Sequence, residues 1–253
     1  MGSSRPTRSA NAIRSGPGVV NRPEAEARWV LLHGTPLTPR VWDEVGALLA
    51  AGLPVVAPAL PRPGTQTEIA RRVLASLEGT QALHVVGHSF GGQVAIEVAL
   101  AAPLRLASLT ILCSRATPFP AFAASAESLR RGDPLDVQGS LARWFLPDEL
   151  AADGPAVRFA RACITGADRA LWAGDLQAIA GYDRAGDLGR IDAPTRVIAA
   201  QFDGVGTPDE MQALAGAIPG AEFVLVPNAS HMSQFLDPTA LAERIAGTSR
   251  SLR

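Results

Sequence analysis

The stretch Gly87-His88-Ser89-Phe90-Gly91-Gly92 restricts what this chain can fold into more than any other. It follows a short apolar run, Ala82-Leu83-His84-Val85-Val86, and precedes a small-residue segment of helical character, Gln93 to Ala102. Strand, glycine-flanked serine and helix is the order that a nucleophile elbow requires, with the serine hydroxyl raised above a sheet by a strained turn. A side chain two residues before or after such a serine collides with neighbouring backbone, which accounts for Gly87 and Gly91. Gly92 and Ala95 then let the start of the helix approach the strands. Five-residue matches to G-x-S-x-G also arise by chance, so the surrounding chain must carry the assignment.

That surrounding chain alternates strand and helix. Trp29-Val30-Leu31-Leu32 is a continuous apolar run suited to a buried parallel strand, and it ends at the turn His33-Gly34-Thr35-Pro36. Val41 to Ala51 has helical spacing and stops at Gly52, the expected C-cap. Pro54-Val55-Val56-Ala57 reads as the next strand, followed by a Pro- and Gly-rich loop from Pro58 to Gly64 and a helix from Ile69 to Leu77. After the elbow, Leu106 to Cys113 is another buried strand. From Thr117 to about Arg184 the strands vanish and helices follow one another near 120–131, 135–146, 148–165 and 168–181, with most of the aromatic residues. The alternation resumes with a strand at Pro194 to Ala200, a helix at Asp209–Ile218, a strand at Ala221–Val226 and a helix from Thr239 to Ala246. This pattern predicts an α/β fold with a mostly parallel, doubly wound sheet and an inserted helical lid. The expected core is 28–116 with 185–253, the lid is 117–184, and 1–27 is a loose lead-in whose Ile13 and Val19-Val20 could add a short edge strand.

At 253 residues the chain can bury roughly 70–75% of its unfolded surface, so its core needs neither disulfides nor metal. A net charge of −1 gives no reason to expect nucleic acid or an anionic membrane as partner. All 23 basic residues are arginine, which excludes a Schiff-base lysine, a Walker lysine and a lysine general base. Alanine- and arginine-rich usage suits a GC-rich bacterial genome. Cys113 and Cys163 lack metal-ligand spacing and read as buried free thiols of a reducing cytoplasm. No apolar run reaches membrane-spanning length, and no signal-peptide core follows the N-terminal arginines. A cytoplasmic monomer or homodimer without cofactor or metal is expected.

Ligands of such a sheet bind beyond the carboxyl ends of its strands. The four strand-end loops carry His33-Gly34-Thr35-Pro36, Ser89-Phe90, Gln201-Phe202-Asp203 and Asn228-Ala229-Ser230-His231. Serine, acid and histidine therefore stand at three strand ends in the order Ser89, Asp203, His231. A serine hydroxyl is a poor nucleophile at neutral pH, so His231 would accept its proton, and Asp203 would hold the ring and stabilise the imidazolium. Backbone N–H groups of Phe90 and Thr35 would bind the oxyanion. Asp209 competes with Asp203, although its place in the N-cap region of a helix already accounts for it. His88 and His84 are read as packing residues, and His33 as shaping its own loop.

At these residues the chain resembles the α/β-hydrolase superfamily from about Trp29 to Ala246. His33-Gly34 is similar to its oxyanion-loop motif, Gly87–Gly91 to its elbow, and Ala200-Gln201-Phe202-Asp203 with Pro208 to its acid loop. Arg143-Trp144-Phe145 and Ile191-Asp192-Ala193-Pro194-Thr195 resemble the lidded subgroup of 3-oxoadipate enol-lactonases and related carboxylesterases. The loop Ala59-Leu60-Pro61-Arg62-Pro63-Gly64 lacks the aspartate usual there, and the N-terminal hairpin is shortened or missing. A serine nucleophile disfavours the aspartate-dependent dehalogenase and epoxide-hydrolase branches.

The expected activity is cleavage of a small carboxylic ester or lactone by a serine hydrolase. Phe119, Trp144, Phe145 and Trp172, with His33 and Met232, are the expected substrate pocket, and Arg143, Arg158 and Arg161 are candidates for binding a carboxylate. Two other readings stay open at this level. The fold could serve C–C hydrolysis, lyase or cyclisation chemistry, or the triad could be residual in a ligand-binding protein.

Overall fold

The computed structural model describes residues 27–79 and 81–250; the lead-in and the edge strand expected before Ala27 lie outside them. Six strands form one sheet: β1 (Ala27–Leu32), β2 (Val55–Val56), β3 (Ala82–His88), β4 (Leu106–Leu112), β5 (Thr195–Ala200) and β6 (Glu222–Val226). They run in the order β2-β1-β3-β4-β5-β6, and every pairing is parallel. The chain moves from β1 to one edge, returns to β3 on the other side, and then proceeds outward. β1 and β3 thus flank the switch point, where a crevice opens at the carboxyl ends of the strands.

Each strand follows from its apolar run, and proline helps to bound β2, the start of β5 and the end of β6. β3 and β5 are buried over almost their whole length, as strands covered on both faces must be. β2 shrinks to two residues because Pro54 and Pro58 bracket it and neither has an N–H to donate.

Of the helices, α1 (Asp43–Leu49) and α10 (Pro238–Arg250) pack together on one face of the sheet. α2 (Gln66–Ser76), α3 (Phe90–Ala101) and α9 (Pro208–Ala217) cover the other. α1 ends with Ala50 as its C-cap rather than at Gly52, and a 3-10 turn, Pro39–Trp42, leads into it. α2 starts earlier than its apolar spacing suggests. Thr65 accepts from the Glu68 N–H while the Glu68 carboxylate accepts from the Thr65 N–H at 2.8 Å, a capping box that nucleates a polar first turn.

Between β4 and β5 the chain is helical throughout: α4 (Ala121–Arg131), α5 (Val137–Trp144), α6 (Pro147–Ala152), α7 (Pro155–Thr165) and α8 (Arg169–Gly181). The single helix expected over 148–165 is therefore two. Asp153 takes a left-handed conformation (φ 44°), and Pro155, which has no N–H, opens the next helix. After α8 the chain is tied back to α3 by polar contacts. The Tyr182 hydroxyl donates to the Gln93 carbonyl, and Arg184 pairs with buried Glu97 of α3 at 2.6 Å. Among the described residues no helix is long and apolar enough to cross a membrane.

The crossing of β3 and α3 leaves no room for side chains. A Cβ on Gly87 would sit 2.2 Å from the Gly91 carbonyl oxygen, and one on Gly91 would sit 2.2 Å from that of Leu32. Gly87→Ala is expected to destabilise the fold by more than about 3 kcal/mol, because backbone on both sides must move. Gly174, inside α8, is the matching control, since a methyl group added there would meet nothing within 4 Å. Gly174→Ala should gain about 0.5–1 kcal/mol. Urea unfolding of the two variants tests this, and equal midpoints would contradict it.

Candidate active site

Ser89 stands between β3 and α3 with φ 54° and ψ −120°, a conformation that costs a non-glycine residue about 1–3 kcal/mol. The surroundings hold it there. Its N–H donates to Leu112 O at 2.9 Å, and its carbonyl accepts from the Ser114 hydroxyl at 2.7 Å and from the Gly92 N–H at 2.9 Å. Phe90 begins α3, so its N–H is one of those at a helix start that have no acceptor within the helix.

His231 follows β6 and meets Asp203, which follows β5: Nδ1 lies 2.8 Å from Oδ2, and both residues are buried. Burial pushes the Asp203 carboxyl upward. The His231 charge, its ring N–H and the amides of Val205 and Gly206 outweigh that and hold it below the usual carboxylate range. Cys113 lies beneath this pair. Burial pushes its thiol up, so the sulfur stays protonated, and it accepts from Gln234 Nε2 at 3.3 Å. The ligand atoms of Cys113, Asp203 and His231 fall within 4.8 Å of one another. A protonated thiol and an imidazole whose Nδ1 is engaged by the carboxylate make this a hydrogen-bonded cluster, not an open metal site.

Two further histidines brace the site without entering it. The His88 ring is fully buried, packs 4.8 Å from the His231 ring, and donates from Nε2 to the His231 carbonyl at 3.1 Å. His33 donates from Nδ1 to Gly34 O at 2.8 Å and accepts from the Leu60 N–H at 3.4 Å, which joins the loops after β1 and β2. Thr35, in the same loop, donates its hydroxyl to Asp175 Oδ2 of α8 at 2.5 Å. Arg62 Nη1 lies 2.6 Å from the same oxygen and 3.4 Å from Thr35 Oγ1.

Ser89, His231 and Thr35 open into one cavity of about 350 Å³ between the carboxyl ends of the strands and the helices α4, α5 and α8. Of the expected aromatics, Trp144 and Trp172 line it. Phe119, Phe145, Met232 and His33 do not. Phe119 packs edge-on to Phe122 under the Arg115 guanidinium, and Phe145 turns into the core at the end of α5. Met232 donates its N–H to Trp144 O at 2.8 Å and lines a separate depression beside Phe159 and Phe235. Phe122, Leu129, Leu135, Leu176 and Ile179 supply the apolar wall instead. Arg143 reaches the cavity, held by the Ser140 hydroxyl at 2.9 Å, whereas Arg158 and Arg161 are occupied by Asp153.

Residues 29–244 match the alpha/beta hydrolase family. The chain belongs to that family. Among relatives, a provisionally named carbamate hydrolase, RutD, of Pseudomonas savastanoi pv. phaseolicola is 31% identical over 63% of this chain and 64% of its own length. Rhodomycin D methylesterase DnrP of Streptomyces peucetius is 27% identical over 73% of both chains. The enol-lactonase of Burkholderia xenovorans superposes with a TM-score of 0.82 at 22% identity, covering 88% of this chain and 90% of the other, a likeness of fold.

Sequence reasoning missed Arg62, Asp175 and Cys113 as neighbours of this family site. Asp175 left a signal: Trp172, Asp175, Leu176 and Ile179 share one helical face, and an acid in an apolar stripe calls for a buried partner. Cys113 left none, since a buried thiol reads as core.

Burial lowers His33 to about 4 and His88 to about 3, so both are neutral in the folded protein at neutral pH. Their unfolded values are near 6.5. Below that pH the unfolded chain takes up protons that the folded chain refuses, so stability falls as pH drops from about 6.5 toward 4. Calorimetry should show Tm level between pH 8 and 7 and declining below pH 6.5; a Tm unchanged down to pH 4.5 would contradict the assignment.

Proposed function

We propose that the protein is a serine hydrolase that cleaves a small carboxylic ester or lactone through an acyl-enzyme on Ser89. The observation that carries this reading is the Asp203–His231 contact of 2.8 Å, made in the same strand-end region as the strained Ser89 and bordering the same cavity. The names of two relatives, a carbamate hydrolase and a methylesterase, agree with attack on a carbonyl that bears a heteroatom leaving group.

In this mechanism His231 Nε2 takes the Ser89 proton as Oγ attacks the carbonyl carbon. Asp203, kept ionised by its partners, fixes the tautomer with Nδ1 protonated and stabilises the imidazolium. The oxyanion is received by the N–H of Phe90 and of Thr35. Return of the proton from His231 to the leaving alkoxide frees the alcohol. Water activated by the same ring then attacks the acyl-enzyme, releasing the acid and regenerating Ser89. The helices of residues 117–184 act as a lid that keeps bulk water from the acyl-enzyme and forms the acyl wall. That wall is mostly hydrocarbon, with Ser125, Ser128 and Ser140 and the charged side chains Asp136 and Arg143, which suits a compact acyl group of moderate polarity.

A fluorophosphonate should label Ser89 in the folded protein, with no label in Ser89→Ala. His231→Ala and Ser89→Ala should each lower kcat on p-nitrophenyl butyrate by about 10⁴-fold or more. Retained turnover in both variants would refute the mechanism. A cavity of about 350 Å³ predicts a preference for butyrate over laurate esters of about tenfold or more in kcat/KM, and the reverse order would refute the lid reading.

A further inference from the structure

We propose that Asp175 is a positioning residue that holds the oxyanion loop through the Thr35 hydroxyl. This inference rests on the serine-hydrolase reading above. The bond joins residues 140 positions apart, from α8 to the loop after β1, and both partners are buried.

The loop is also held on its Gly34 side, where a Cβ would sit 3.0 Å from Ser89 Cβ and 3.1 Å from His88 Nδ1, and through His33, which accepts from the Leu60 N–H. Thr35, one residue further, borders the open cavity, and its hydroxyl at 2.5 Å from Asp175 fixes its rotamer. A charge-assisted bond of this kind is about twice as strong as a neutral one and more demanding in direction. The Thr35 N–H, the group assigned to the oxyanion, is rigidly connected to that side chain through its own Cα.

The alternative is that Asp175 and Arg62 merely seat α8. Burying a carboxylate to 2% exposure is a costly way to do so, since Trp172, Leu176 and Ile179 already give that helix an apolar face. Arg62, only 19% exposed, neutralises the carboxylate and leaves it oriented by two donors at one oxygen. An acceptor carried by α8 also links the order of the oxyanion loop to the seating of that helix. Displacing α8 removes the acceptor and leaves Thr35 and Arg62 without it.

The test uses the full chain and p-nitrophenyl butyrate. Asp175→Ala and Thr35→Val, which keeps the backbone N–H, should each lower kcat about 10- to 100-fold with KM within about twofold. Asp175→Asn, which still accepts from Thr35, should restore most of the lost kcat. In the Thr35→Val background Asp175→Ala should cost nothing further in kcat. Undiminished kcat in both single variants, or fully additive losses in the double variant, would overturn the role. If Asp175→Ala does not fold, the Thr35→Val and Asp175→Asn measurements decide. A wild-type protein that neither reacts with fluorophosphonate nor turns over the ester would remove the hydrolase reading, and this role with it.

Discussion

The molecule depends on one close approach, that of β3 to the first turn of α3. Where Gly87 faces the Gly91 carbonyl, strand and helix are nearer than any side chain permits, and the connection between them has to be a single tight turn. Ser89 occupies that turn at φ 54°, so its conformation is imposed by the crossing and not chosen by the residue. The same approach brings Gly91 against Leu32 and His33, which sets the end of β1 beside the serine. The acid loop is registered to the elbow through one residue as well. The Ser114 hydroxyl donates to the Ser89 carbonyl, while the Ser114 backbone lies where a Cβ on Gly206 would be. A distortion at any of these contacts is felt at all of them, because the interior is close-packed.

Around this turn the charges are placed sparingly. Burial keeps His33 and His88 neutral, so the rings that brace the site add no charge beside His231. Asp203 stays ionised because ring and backbone N–H groups converge on it. Asp175, whose carboxyl burial raises, is neutralised by Arg62. The result is a carboxylate held toward one histidine, in surroundings where each polar bond is stronger than it would be in water.

Much of this was legible from residue order. The strands announced themselves as short apolar runs, and strand ends are the places from which residues distant in sequence can converge. Asp203 and His231 could therefore be brought together on paper, and the structure has them in contact. The cavity wall could not be read in that way. Whether Phe119 or Phe122 faces inward depends on how α4 and its approach are rotated, and that is decided by packing against α8, not by local spacing. The bond from Thr35 to Asp175 was equally hidden, since it joins a strand-end loop to a helix 140 residues later. Gly52 misled for a local reason: α1 simply unwinds at Ala50 without needing a left-handed residue.

The division of labour in the cavity has an evolutionary side. Ser89, His231 and Thr35 come from the sheet's loops, whereas Phe122, Leu129, Trp144, Trp172 and Ile179 come from helices that add nothing to the β-sheet. Substitutions in the helical wall can accumulate without passing through sheet-breaking intermediates. Drift in the wall and constancy in the floor can thus proceed at separate rates within one gene. Contacts such as those of Asp175 with Thr35 and of Trp144 with Met232, where wall and floor meet, bind the two histories together.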